Sequence, residues 1–206
     1  MKSISFERFA GLCAILTGIV GFLYSVAFIV IARSAPRIGD LLSGLFLMLG
    51  GLLSTAALVA VYNRLREEDA AFALWAVLFG LAGAVGSTLH GGYDLANAIH
   101  VPETIPANLA NLPSQVDPRG LLTFGVAGIG LLVVAWLIVR SGAFPRNLGY
   151  LGYAAAILLV VIYLGRLIVL NAASLVIVAP ALLTGFILNP AWYIWLGITL
   201  WRGQRA

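Results

Sequence analysis

Residues 9–32 read FAGLCAILTGIVGFLYSVAFIVIA, a run of 24 residues without one charge. An α-helix needs about 20 such residues to cross the hydrocarbon of a bilayer. Lys2 and Arg8 precede the run and Ala32-Arg-Ser-Ala35 follows it, which is the layout of a signal peptide. The apolar stretch of a signal peptide, however, is only about 7–15 residues long. The run therefore reads as a retained membrane span. Working outward from it, five more stretches qualify: residues 41–62, 70–98, 120–139, 148–170 and 182–201. Residues 171–181 are apolar but short, fit either to extend a helix or to lie at the interface, and Pro180 marks an expected break there. The expectation is an all-α, polytopic transmembrane helical bundle of about six spans, forming a single unit over residues 1–206.

Composition agrees. Of 206 residues, 62% are hydrophobic and 10% charged, with a mean hydropathy of +1.03; soluble domains carry roughly 25% charged residues. Lipid must solvate much of this chain, and disorder is excluded for the same reason. The net charge of +4 does not point to nucleic acid, because the charges form short clusters between apolar runs and no basic stripe. Cys13 is the only cysteine and Lys2 the only lysine. An intrachain disulfide, a cysteine-rich metal site and a retinal-type Schiff base within the bundle are thereby ruled out.

Orientation follows from basic residues flanking the spans. Lys2, Arg8, Arg64, Arg66, Arg140, Arg146, Arg202 and Arg205 fall on one side, and Arg33, Arg37 and Arg119 on the other. The positive-inside rule puts the richer side, and both termini, in the cytoplasm. Trp75, Trp136 and Trp201 lie near that same boundary, as an aromatic belt requires. The long connection at residues 101–119, with four prolines, then becomes an external loop. The 23 glycines, among them Gly11, Gly18, Gly21, Gly44, Gly50, Gly51, Gly80, Gly83, Gly86, Gly125 and Gly128, read as close helix packing in lipid. Pro190, after Asn189 in the last span, frees a backbone carbonyl and predicts a kink.

Ionisable residues within a bilayer are costly and mark partners or sites. Asp94 on the third span and Arg166 on the fifth stand out. At about 100° per residue, His90, Asp94 and Asn97 share one helix face, with Tyr93 at its flank. His90 and Arg166 each lie about 18–20 residues in from the basic end, so the expectation is a polar pocket open to the outside. Its candidate binding residues are His90, Tyr93, Asp94, Asn97 and Arg166, with His100, Tyr163 and Asn171 beside them. An Asp94–Arg166 pair that merely docks two helices is the structural alternative. The two histidines are ten residues apart on different faces and do not clamp a haem; no metal or cofactor site is expected. No nucleophile elbow, Walker loop, dinucleotide fingerprint or zinc-protease motif occurs.

Residues 140–152, RSGAFPRNLGYLG, and 189–203, NPAWYIWLGITLWRG, resemble a group of small bacterial multi-pass proteins known only as a domain of unknown function. The likeness lies in a Leu/Phe-Pro-Arg-x-Leu-Gly turn before a span and an ending similar to Trp-Leu-x-x-x-Gly-x-x-Leu, all within the second half. It implies a bacterial cytoplasmic membrane and a bundle of six to seven spans. It carries no reaction and no catalytic residues.

These observations lead to a non-catalytic membrane protein that binds a small amphipathic molecule at an outward-facing polar pocket, or serves as accessory subunit of a membrane complex. Two other readings are an intramembrane lipid-modifying enzyme using His90 and Asp94, and a small-molecule transporter. Beyond the lipid bilayer, the partners expected are a small amphipathic ligand or other membrane subunits, with no nucleic acid.

Overall fold

The computed structural model describes residues 6–100, 116–169, 171 and 174–203. All six expected spans are present, as helices long and apolar enough to cross a membrane: α1 (Phe6–Ser34), α2 (Pro36–Leu65), α3 (Ala70–Ile99), α4 (Pro118–Ser141), α5 (Arg146–Ile168) and α6 (Leu175–Arg202). Successive helices run in opposite directions, so one end of the bundle carries Arg64 and the other His90.

Local chemistry sets the boundaries. Pro36 opens α2 at the first helical position, where its missing N–H costs nothing. Asp69 caps α3, its carboxylate accepting the amides of Ala71 and Phe72 at 3.1 Å. Gly142 ends α4 with φ +62°, a left-handed conformation that favours glycine. Residues 101–115 of the expected external loop lie outside the described residues. Its end, from Pro118 on, is a tight turn that forms the first residues of α4, Pro118–Gly120.

Each helix packs on its neighbours in sequence, and α6 returns to α1, so the six form a closed ring. Close approach of backbones holds it together. A methyl at Gly11 would sit 2.8 Å from the Gly197 carbonyl oxygen, one at Gly44 2.7 Å from the Leu95 nitrogen, and one at Gly83 2.6 Å from the Ala127 Cβ. The glycine stripes are therefore packing surfaces. Outward faces are apolar and exposed, as at Leu78, Val85, Leu89 and Ile157.

Residues 171–181 resolve into helix from Leu175 onward, and Pro180 sits inside α6 without ending it. It removes the one bond its N–H would have made to the Val176 carbonyl, and the helix runs on through it. The expected disturbance at Pro190 takes the form of a π-helical stretch just before it, Thr184–Leu188. Pro190 has no N–H to offer the carbonyl of Phe186, and a wider turn absorbs the mismatch. Two more π-helical stretches occur, Val26–Ile31 in α1 and Leu121–Val126 in α4.

Candidate functional site

The ring encloses a cavity of about 450 Å³ lined by all six helices, within the range of small-molecule sites. It is closed at the Arg64 end by the buried core, where Val61, Leu65, Leu137, Ile138, Phe144, Leu148, Leu196 and Leu200 interlock beneath Trp192. Towards the His90 end it reaches Tyr24, Arg33 and Arg166. The lining is largely apolar, with the hydroxyls of Thr17, Ser54 and Ser87 spread along it. Thr17, Ser54 and Ser87 donate back to carbonyls of their own helices. Thr184 Oγ1 and Trp192 Nε1, both buried, find no hydrogen-bond partner among the described residues. All three π-helical stretches contribute lining residues: Phe28 and Ile29, Thr123 and Phe124, Thr184 and Gly185. Such stretches recur at functional sites because they turn side chains and carbonyls out of helical register.

Arg166 is half-buried at the mouth of this cavity. Its guanidinium lies 5.3 Å from the centre of the Phe124 ring, a cation–π contact. Asp94, Asp117, Tyr24 and Arg119 are near enough to act on it through space. Among the described residues, however, no carboxylate lies within ion-pair distance of it. The expected Asp94–Arg166 pair is thus not formed.

Asp94 turns instead to His90, with Oδ2 3.2 Å from Nε2. The other ring nitrogen, Nδ1, faces Oδ2 of Asp117 at 3.6 Å, a little beyond hydrogen-bond length. Asp117 is fully buried. Its carboxylate accepts the amides of Leu122 at 2.8 Å and Thr123 at 3.0 Å, which caps the start of α4. Burial by itself would raise the Asp117 carboxyl. The facing imidazole and the two amides outweigh it and bring the group down to about 2.

The expected site residues therefore divide. Arg166 lines the cavity; His90, Tyr93, Asp94 and Asn97 do not. His90 and Asp94 belong to a cluster that ties α3 to the first turn of α4, while Tyr93 and Asn97 are half-buried nearby on α3. Asp117 was missed by the reading of the sequence; the amides it accepts lie five and six residues on, beyond the reach of an ordinary N-cap pattern. A second missed residue is Arg64, at the opposite end. It pairs with Glu7 and points to the carbonyls of Ala143 and Thr199 and to the ring of Phe144.

By helix length and hydropathy, the chain is an integral, multi-pass membrane protein with six spans. No family model, curated protein or solved structure matches it.

Proposed function

We propose that this protein binds a small amphipathic molecule inside the helical ring. One observation carries the reading: a cavity of about 450 Å³ with apolar walls and an arginine at its mouth that has no ion-pair partner among the described residues. Leaving a half-buried cation without a counter-ion is costly in lipid, and an amphiphile supplies both the counter-group and the apolar body. The site is thus deeper than the polar patch on α3, and it shares only Arg166 with it.

The same geometry favours binding over transport, because the packed core closes the Arg64 end. It also disfavours hydrolysis of lipid by His90, whose two nitrogens are turned to Asp94 and Asp117 outside the cavity. Both termini are proposed to be cytoplasmic, in the cytoplasmic membrane of a bacterium. Of the described basic residues, Arg8, Arg64, Arg66, Arg140, Arg146 and Arg202 sit at the Arg64 end and Arg33, Arg37 and Arg119 at the other, which supports this orientation.

Native mass spectrometry of protein released from its own membrane tests the reading, with Gly50→Leu as comparison. Gly50 lines the cavity, and a Cβ there meets only Val20 at 3.5 Å, ordinary contact. The added side chain fills the site without wedging helices apart. A bound amphiphile in the native protein that is lost in Gly50→Leu is expected. An adduct retained equally by both contradicts the proposal.

A further inference from the structure

The walls of the cavity are not equally tight. From the Arg64 end, α1 and α6 pack backbone to backbone: a methyl at Gly18 would lie 2.8 Å from the Pro190 carbonyl oxygen. Their last close approaches are Phe22 against Phe186, ring centres 5.7 Å apart, and Ser25 against Gly185. Beyond that point the partners change. Val26–Ile31 of α1 packs on α2, and Leu175–Leu183 of α6 packs on α5. Both π-helical stretches of these helices lie where they part. Phe28 and Ile29 on one side and Val178, Ala181 and Leu182 on the other line the cavity, and Phe28 is also 56% exposed. A cavity-lining side chain left that open, where its helix has parted from the neighbouring one, marks the edge of an opening.

Arg33, one turn beyond Ile29 on α1, and Arg166 on α5 stand at the end of this opening nearer the water. Trp192, at the cavity floor, packs at the level of Gly152 on α5, so by helical rise Arg166 is about 20 Å from it along the bundle axis. The space is long and apolar with cations at one end. Its volume of about 450 Å³ suits a single alkyl chain.

Resting on the binding function above, we propose that the cavity is loaded sideways from the bilayer, through the gap between α1 and α6, by a single-chain amphiphile with an anionic head. The head, a carboxylate or a phosphate monoester, sits between Arg33 and Arg166, and the tail runs down to Trp192. Arginine offers two parallel N–H donors to either head group. Lateral loading lets the tail pass from lipid to protein without crossing water.

The test uses the full chain in nanodiscs and three probes of equal tail: dodecanoate, dodecyl phosphate and dodecanol. Both anions are expected to bind at least roughly tenfold more tightly than the alcohol. Arg166→Gln is expected to cut that preference at least about threefold, Arg33 supplying the rest, and Arg166→Lys to restore part of it. Inorganic phosphate at millimolar concentration is expected not to displace dodecyl phosphate; displacement would make the head site a receptor for the free anion and overturn the amphiphile. For the route, Cys13→Ala protein carrying Ile29→Cys and Val178→Cys is bridged with a reducible thiol cross-linker. Loading of dodecyl phosphate is expected to slow at least about tenfold when bridged and to recover on reduction, whereas an unchanged rate overturns lateral loading. Equal affinity for alcohol and anions overturns the head-group assignment but leaves the cavity as a binding site. Failure of all three probes to bind, with Gly50→Leu indistinguishable from native protein, overturns the binding function itself.

Discussion

Asp117 shows how a single side chain joins two helices. It is buried, it caps α4 through two amides, and it faces His90 on α3. Asp117→Ala leaves those amides without an acceptor and should cost about 2 kcal/mol, read as thermal unfolding in detergent. Its pH signature has a definite sign. A carboxyl held at about 2 against an ordinary value of 3.8 contributes stability that is complete above pH ~4 and is lost as the pH falls towards about 2. Asp117→Asn should flatten the melting curve across that window; an unaltered slope would assign the acid sensitivity to another group. Two residues on, Arg119 has φ +60°, a conformation that costs a side chain about 1–2 kcal/mol. Arg119→Gly should therefore stabilise the protein by about 0.5–1 kcal/mol after the entropy of the unfolded glycine is set against it. At this scale the sequence was half legible. Periodicity placed His90 and Asp94 on one face, and they do meet. Counting residues from the basic ends of the spans set Arg166 level with His90 and Asp94, but depth on two helices does not fix their rotation about their own axes, and Arg166 turns to the cavity instead. Asp117 was obscured because it lies at the end of a proline-rich segment that reads as a spacer.

Elements were more legible, because lipid demands long apolar runs whatever the function. The six helices follow from hydropathy alone, and the glycines do lie where backbones approach. The glycines nevertheless differ in kind, which composition cannot reveal. A methyl at Gly11 would meet the backbone of Gly197 and Trp201 at 2.8 Å, whereas one at Gly21 meets only the side-chain nitrogen of Asn189 at 3.5 Å. Gly11→Val should thus destabilise the bundle by about 1–3 kcal/mol through overpacking between α1 and α6. Gly21→Ala should leave the melting temperature within error, and equal effects from both would contradict the packing described. The three π-helical stretches were not legible. Each changes hydrogen-bond register within an apolar run without changing the run, and only Pro190 hinted at one of them.

For the whole molecule, the decisive property is a ring sealed at one end. Arg64 is central to the seal: its side chain is 8% exposed, and it links α1, the turn before α5 and α6. Arg64→Met strands Glu7 and two carbonyls, and a loss of about 3 kcal/mol is expected. The cost should be smaller for Glu7→Gln, since Glu7 is 40% exposed and water can replace its partner. The positive-inside count treated Arg64 as one charge among eight. Its role in the fold depends on neighbours from three distant places in the chain, and no local pattern announces that. The cavity was illegible for the same reason: it is a shape made by six helices, and its residues are the small and apolar ones that any span contains.

The most direct test of the central claim is fluorescence from Trp192, which lines the cavity floor, in protein whose other four tryptophans are replaced by phenylalanine. A brominated dodecanoate is titrated into the nanodisc-bound protein. Occupancy of the cavity predicts quenching that saturates at one ligand per protein, is reversed by unlabelled dodecanoate, and is absent in Gly50→Leu. Quenching that only rises in proportion to the bromine dissolved in the bilayer, equally in both proteins, would contradict a binding site inside the ring.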